Sequence, residues 1–232
     1  MHSLVDNWQA VRARIREACQ RCGRDPAAVQ LLAVSKTFSA DAVRTVAQAG
    51  QRDFGENYIQ EAVEKITALR GDASSLPLVW HCIGPIQSNK TRLVAEHFDW
   101  AHTVDRLKIA QRLNDQRPPS LQPLNVCIQV NTDRGTTKSG VAVSDALVLA
   151  QAMAQLPRLR LRGIMTIPDP VEGFDAQVAL HRQAKMLFDT LQSALQRPDF
   201  DTLSMGMTAD REAAIHAGST LVRVGTAIFG RR

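Results

Sequence analysis

Hydrophobic positions along the chain switch repeatedly between a helical and an extended period. Leu4, Trp8, Val11 and Ile15 recur at spacings of four, three and four behind Ser3-Leu4-Val5-Asp6, whose serine and aspartate have the spacing of a capping box. This predicts an amphipathic helix over 3–22 that ends at Gly23. The next run, Gln30-Leu31-Leu32-Ala33-Val34-Ser35-Lys36-Thr37, is short and apolar and reads as a buried strand. Ser39 is placed to cap a following helix through Gln48, which Gly50 terminates.

The alternation then continues. Strand-like runs fall at 51–55, 78–83, 99–104, 124–131, 160–167, 201–205 and 220–224, and helical patterns at about 56–70, 88–97, 105–116, 144–156, 175–196 and 208–217. With the run ending at Lys36 this makes eight strands with intervening helices. A right-handed βα series of eight that buries every strand is a single-domain (β/α)8 TIM barrel, here with an extra N-terminal helix; about 250 residues is usual for such a barrel. The chain has 232 residues, and no linker, low-complexity stretch or repeat divides it, so one domain over 1–232 is expected. An open doubly wound sheet is the alternative.

In these barrels chemistry gathers at the C-terminal ends of the strands. Leu32, Val34 and Lys36 share one strand face, so a core-facing strand aims the Lys36 amine inward, where desolvation makes it a nucleophile towards carbonyls; the alternative is a lysine that snorkels out at the strand end. Of the six lysines, Lys36 alone follows an apolar strand, whereas Lys65, Lys108 and Lys185 fall in amphipathic helix patterns and Lys90 and Lys138 near helix starts or in polar loops. Asn57, after the second strand, suits orienting a ligand hydroxyl or capping a helix. His81 lies within the third strand and reads as a hydrogen-bonded core histidine. The polar loop 131–140, with Arg134 and Lys138, either meets an anionic ligand or is a mobile surface loop. Around Gly163-Ile164-Met165-Thr166-Ile167-Pro168, apolar side chains either cover a planar ring or fill the core.

The last quarter is the most specific. Ser204-Met205-Gly206-Met207-Thr208 leads strand seven into a helix with Thr208 as N-cap, and Gly225-Thr226 opens a short final helix after strand eight. Two helix starts after strands seven and eight offer free N–H groups to a phosphate, with hydroxyls from Ser204 and Thr226; plain capping is the other reading. On strand eight, Arg223 alternates with Val222 and Val224, so either the valines or the arginine faces the interior. An inward guanidinium needs an acceptor, and a pyridine nitrogen can be one.

Composition narrows the classes. A hydrophobic share of 44% supplies a large core, and no segment approaches the roughly 18 consecutive apolar residues of a membrane span. The N-terminus lacks the apolar region of a signal peptide, and Cys19, Cys22, Cys82 and Cys127 do not form a disulfide framework, so a cytoplasmic location is expected. Cys19-x-x-Cys22 sits at a helix end without further ligands and reads as packing, and nothing has metal-ligand spacing. The net charge of +5 invites nucleic acid, but 22 of the 28 basic residues are arginines scattered over many helices and aromatics are 5%, so no nucleic-acid partner is expected.

An inward lysine, a phosphate cup and a cation for a ring nitrogen together describe pyridoxal 5′-phosphate held as a Schiff base. The sequence also resembles the pyridoxal phosphate homeostasis protein family over nearly its whole length. The resemblance rests on Ala33-Val34-Ser35-Lys36, Phe54-Gly55-Glu56-Asn57-Tyr58, the stretch from His81 to Lys90, Gly163-Ile164-Met165-Thr166-Ile167-Pro168, Ser204-Met205-Gly206-Met207 and the stretch from Arg223 to Gly230. Cys82, where an aromatic is usual, and Thr208-Ala209-Asp210 depart from the pattern, and the loop 133–137 matches it least. The resemblance implies a barrel like the cofactor domain of alanine racemase, with Lys36 as the Schiff-base lysine and Arg223 at the pyridine nitrogen. It further implies Ser204, Gly206, Gly225 and Thr226 around the phosphate, and a carrier or buffer without established turnover. Its partners would be the small molecule itself and, transiently, apo-enzymes that need it. An arginine at the ring nitrogen makes a weak electron sink, and a racemase-like enzyme would need a second acid/base, for which Tyr58 is the one tyrosine. A sugar-phosphate aldolase barrel is a third reading, which leaves Arg223 without a ring to meet. A monomer is expected.

Overall fold

The computed structural model describes residues 3–70, 77–133 and 139–230. In chain order the elements are α1 (Leu4–Arg21), β1 (Gln30–Val34), α2 (Ala40–Gln48), β2 (Asp53–Glu56), α3 (Ile59–Arg70), β3 (Val79–Cys82), α4 (Thr91–His97), β4 (Trp100–Val104) and α5 (Leu107–Gln116). They continue as β5 (Leu124–Asn131), β6 (Val141–Ala142), α6 (Ala146–Met153), β7 (Leu159–Met165), α7 (Phe174–Leu195), β8 (Thr202–Ser204), α8 (Arg211–His216), β9 (Leu221–Val224) and α9 (Thr226–Phe229).

Strands β1-β2-β3-β4-β5-β7-β8-β9 pair in parallel in that order, and β9 pairs back onto β1, so the sheet closes into the expected eight-stranded (β/α)8 barrel. The sequence reading omits β6, which pairs two residues with the end of β5 and is too short to show a period. The barrel's outer surface carries Ala33, Phe54, Trp80, Ala101, Val126, Ile128, Leu203, Val222 and Val224, which meet the helices in one continuous core. Phe54 and Trp80 pack with ring centroids 5.8 Å apart, and burying each contributes roughly 1.5–3 kcal/mol. The alternate positions face the interior: Leu32 and Val34 are buried yet outside that core, and Trp100, Cys127 and Met165 form a separate internal cluster.

Helix α1 is the expected addition to the barrel. Asp6 N donates to Ser3 Oγ and Ser3 N to Asp6 Oδ2, both at 3.1 Å, which completes the capping box. The stripe Trp8, Val11, Ile15, Ala18 and Cys19 is buried as α1 lies against α2, α8 and α9. Cys19 thus packs, burial pushing its thiol pKa up, and Cys22 is the C-cap. Among the described residues no helix is long and apolar enough to cross a membrane, and no group of three His, Cys, Asp or Glu side chains could hold a metal ion.

Two local expectations are corrected. Residues 88–90 form a 3-10 turn before α4, not its first turn. Helix α8 starts at Arg211 with Asp210 as N-cap, so Thr208 stays in the preceding loop and is not the cap.

Candidate functional site

Register decides which loops share the barrel mouth. Leu32 pairs with Arg223 and Ala33 with Val224, so Lys36, two residues beyond the end of β1, and Gly225-Thr226, at the end of β9, emerge side by side. On the other side of β9, Arg223 N donates to Gly206 O at 3.0 Å, and Thr226 Oγ1 lies 3.4 Å from Thr208 Oγ1. The mouth ends of β1, β8 and β9 therefore form one contiguous wall.

The sequence left Lys36 either desolvated inside the barrel or turned out at the strand end, and the structure shows the second: Lys36 is exposed, and Ser35 is the last buried residue before it. The reason is the turn. Thr37 has φ +67°, a conformation that costs a β-branched residue about 1 kcal/mol or more, and the chain leaves the strand direction there. Both neighbours of Lys36 are pinned. Ser35 Oγ donates to Glu56 Oε1 at 2.6 Å, and Ser35 O accepts from Lys65 Nζ at 2.9 Å. Thr37 N donates to Glu61 Oε1 at 2.7 Å. Lys65 Nζ ties the two carboxylates together, at 2.6 Å from Glu56 Oε1 and 3.3 Å from Glu61 Oε1. Burial raises the Glu56 pKa, and the Lys65 ammonium opposes that shift. A rim lysine on such a turn is open to an incoming carbonyl compound while its backbone is held.

Arg223 faces the interior, and Val222 and Val224 face the helices, which settles the choice left open by the sequence. It is 4% exposed. Nη1 donates to Ser204 Oγ at 2.8 Å and Nη2 to Thr166 O at 2.9 Å. Burial pushes its pKa down to about 10, against the charge of Asp210, so it is still a cation at neutral pH.

Behind Ser204 runs a row of side chains across the barrel. Ser204 Oγ is 3.1 Å from His102 Nδ1, His102 Nε2 is 2.9 Å from His81 Nδ1, and His81 Nε2 is 3.0 Å from Asp53 Oδ1. Arginine can only donate and a carboxylate only accept. With neutral imidazole rings, each donating once and accepting once, the bonds then run one way: Arg223 to Ser204, Ser204 to His102, His102 to His81, His81 to Asp53. Burial holds the His102 pKa well below the ordinary histidine value, and its electrostatic interactions with His81 and Arg223 act in the same sense, so His102 is neutral. His81 is the hydrogen-bonded core histidine expected.

The four cup residues divide. Ser204 is fully buried with its hydroxyl committed to Arg223 and His102, so the structure sets it beside the guanidinium and not among hydroxyls facing the mouth. Thr226 is exposed at the mouth, with its hydroxyl beside that of Thr208. No side-chain cap hydrogen bond is made at the N-cap of either α8 or α9. Gly206 has φ +91° and a Cβ there would lie 2.5 Å from Ala214 Cβ, so its missing side chain serves packing on α8. A Cβ on Gly225 would lie 3.2 Å from Val34 O, which draws β9 against β1.

Asn57 is not a cap either: α3 begins at Ile59, and Asn57 Oδ1 is buried without a hydrogen-bond partner. Thr166 Oγ1, at the mouth end of β7, is in the same state. Buried polar atoms without partners at a barrel mouth are where a ligand's polar groups fit. Met165 is core filler in the interior cluster, and Ile167 is exposed beyond it. Positions 134–138, including Lys138, lie outside the described residues.

Sequence reasoning missed Lys65, Glu56, Glu61 and His102. Lys65 reads as one position of an amphipathic helix and its partner lies on another element, so no local signal marks it. His102 had a weak one, since it shares a strand face with Trp100.

The alanine racemase N-terminal domain family matches residues 7–232. The pyridoxal phosphate homeostasis protein of Pseudomonas aeruginosa is 56% identical over 232 residues, covering 100% of this chain and 97% of that protein. This chain belongs to the pyridoxal phosphate homeostasis protein family. A second member, from Escherichia coli K12, is 53% identical over 232 residues, with 100% and 98% covered. PipY of Synechococcus elongatus, solved with PLP bound, superposes with a TM-score of 0.84 at 34% identity, over 98% of this chain and 100% of that one. Alanine racemase of Clostridium difficile superposes with a TM-score of 0.73 at 13% identity, over 98% of this chain and 57% of the racemase, a likeness of fold alone.

Proposed function

We propose that this protein binds pyridoxal 5′-phosphate as a Schiff base on Lys36 and serves, without turnover of its own, as an intracellular carrier or buffer of that cofactor. The observation that carries the reading is the register of β1 and β9. It puts the exposed Lys36 amine and the buried Arg223 cation on adjacent strands at one mouth.

The residues present fit the group. Lys36 would take the aldehyde carbon, Arg223 would face the pyridine nitrogen, and Thr208, Thr226 and the backbone around Gly206 and Gly225 would meet the phosphate. Asn57 Oδ1 and Thr166 Oγ1 are free to meet its remaining polar groups. When bound, the cofactor can withdraw electrons from an attached amino acid. An arginine leaves its ring nitrogen unprotonated and weakens that withdrawal, which favours holding over turnover. A monomer in the cytoplasm that passes cofactor to apo-enzymes is the form this reading takes.

The test is an absorbance spectrum of purified protein loaded with pyridoxal 5′-phosphate, followed by borohydride reduction and peptide mapping. A visible band that disappears in Lys36→Ala, with the reduced label on the Lys36 peptide, supports the reading. A label on another lysine overturns it. Exchange of amino-acid α-protons by the loaded protein at an ordinary enzymatic rate of about 1–10³ per second would replace the carrier with a racemase-like enzyme.

A further inference from the structure

At the opposite end of the barrel, between α1 and the starts of β1 and β2, lies a cavity of about 270 Å³. Its lining includes Arg12, Arg16 and Arg52 against one carboxylate, Asp53, and that carboxylate accepts from His81. Arg12 stacks over the Trp8 ring at 4.9 Å, and Arg52 Nη1 donates to the carbonyls of Ala47 and Gln51. No ion pair neutralises any of the three arginines among the described residues. Arg12 and Arg16 are four residues apart on one helix face, an arrangement of like charges that costs a few tenths of a kcal/mol unless an anion lies between them. Arg12 and Arg16 are exposed to solvent, and guanidinium groups that line one hollow without a counter-ion suit oxyanions.

The wall of this cavity is also the end of the row that crosses the barrel. Trp8 Nε1 donates to Gln51 Oε1 at 2.9 Å, and Gln51 Nε2 donates to Asp53 O at 2.7 Å. Asp53 then accepts from His81, and the row continues through His102 and Ser204 to Arg223.

We propose that this arginine-lined cavity binds a small dianion, a phosphate ester or a dicarboxylate, and that its occupancy is transmitted to Arg223 through Asp53, His81, His102 and Ser204. An anion that draws Arg52 and the Gln51–Asp53 segment towards it changes the acceptor at the end of the row, and each donor behind it must adjust. The binding half stands on the cavity alone. The consequence for the cofactor rests on the function proposed above.

The test is a nitrogen-15 NMR titration of the cofactor-free full chain with inorganic phosphate and, separately, succinate, against chloride at matched ionic strength. It reads the Trp8 indole N–H and the His102 ring nitrogens. The expected result is a saturable Trp8 shift with a parallel His102 shift. Both should weaken about tenfold or more in Arg12→Ala/Arg16→Ala, as loss of charge-assisted hydrogen bonds implies. Response to phosphate alone identifies a phosphate ester, and response to both anions a general dianion site. No saturable Trp8 shift, or one unchanged in the double variant, overturns the site. A His102 shift that is absent, or that survives in the double variant because phosphate has entered the mouth, overturns the transmission. None of these outcomes depends on whether Lys36 binds an aldehyde, so failure here is distinct from failure of the cofactor reading.

Discussion

Lys65 Nζ lies 2.6 Å from Glu56 Oε1, with both side chains almost wholly buried, directly beneath the turn that presents Lys36. The pair is not an isolated ionic contact. Lys65 also bonds the carbonyl of Ser35, and Glu56 the hydroxyl of Ser35, so the strand end before Lys36 is gripped from both sides. Glu61, held by the same ammonium, takes the N–H of Thr37. The positive φ of Thr37 persists because these bonds over-determine it.

Lys65→Met should therefore act on two readouts at once. Removing one partner of a buried pair costs about 3–5 kcal/mol, because the other charge is left without compensation. A lower urea midpoint is expected, together with faster loss of bound cofactor as the Lys36 turn loosens. The double variant Lys65→Met/Glu56→Gln should recover most of the stability, since an amide oxygen still accepts from Ser35. It should not restore cofactor retention, because the Ser35 carbonyl and Glu61 remain unheld. Equal recovery of both properties would show that the pair has no positioning role.

Lys36→Ala should separate binding from folding. The side chain is exposed on the rim, so its loss should change stability by no more than about 0.5 kcal/mol. Covalent loading with cofactor should disappear. A urea midpoint well below that of the parent would mean that the lysine is part of the fold and that loss of loading is indirect.

The barrel was legible because each strand is a short apolar run set between helical periods, and because eight of them in a chain of 232 residues leave few other architectures. Lys36 and Arg223 could be assigned to strand ends near the mouth for the same reason, as the cations that follow or interrupt apolar runs, but not their facing. What could not be read depends on partners distant in sequence. The facing of Arg223 is decided by Ser204, nineteen residues away, and by Thr166, fifty-seven away. The Ser204 hydroxyl is claimed by His102 from across the barrel, 102 residues distant. Thr37 was invisible as a turn because nothing in Lys36-Thr37-Phe38 carries the usual glycine or asparagine of a positive φ.

Two glycines of the mouth should respond differently to alanine. In Gly206→Ala the new methyl would stand 2.5 Å from Ala214 Cβ at φ +91°, so α8 must shift or the turn must change. A loss of about 1–3 kcal/mol is expected, with weaker binding of the cofactor's phosphate. Gly225→Ala meets Val34 O at 3.2 Å with φ −114°, a backbone open to any residue. A loss below about 1 kcal/mol is expected there, and competition by inorganic phosphate should be little altered. Thermal melts and phosphate competition on both variants check the contrast.

The neutral histidine behind Ser204 gives the fold a pH dependence whose sign follows from its environment. His102 has a pKa held well below its ordinary 6.5 by burial, with electrostatic interactions with His81 and Arg223 adding to it. The unfolded chain therefore binds a proton near pH 6.5 that the folded chain refuses. The stability linked to this group is fully present above that value and is lost as pH falls towards the lower folded pKa. From about pH 7.5 to 5.5, across the unfolded pKa, the loss is on the order of 1 kcal/mol for one such group. His102→Gln leaves an uncharged side chain that cannot take up the proton, so the variant should be less stable than the parent at the upper pH but fall less steeply between the two. Urea midpoints measured for both proteins at both pH values give the difference directly. Parallel slopes would mean that His102 accepts a proton in the folded barrel, and the single direction of hydrogen bonding from Arg223 to Asp53 would then be wrong.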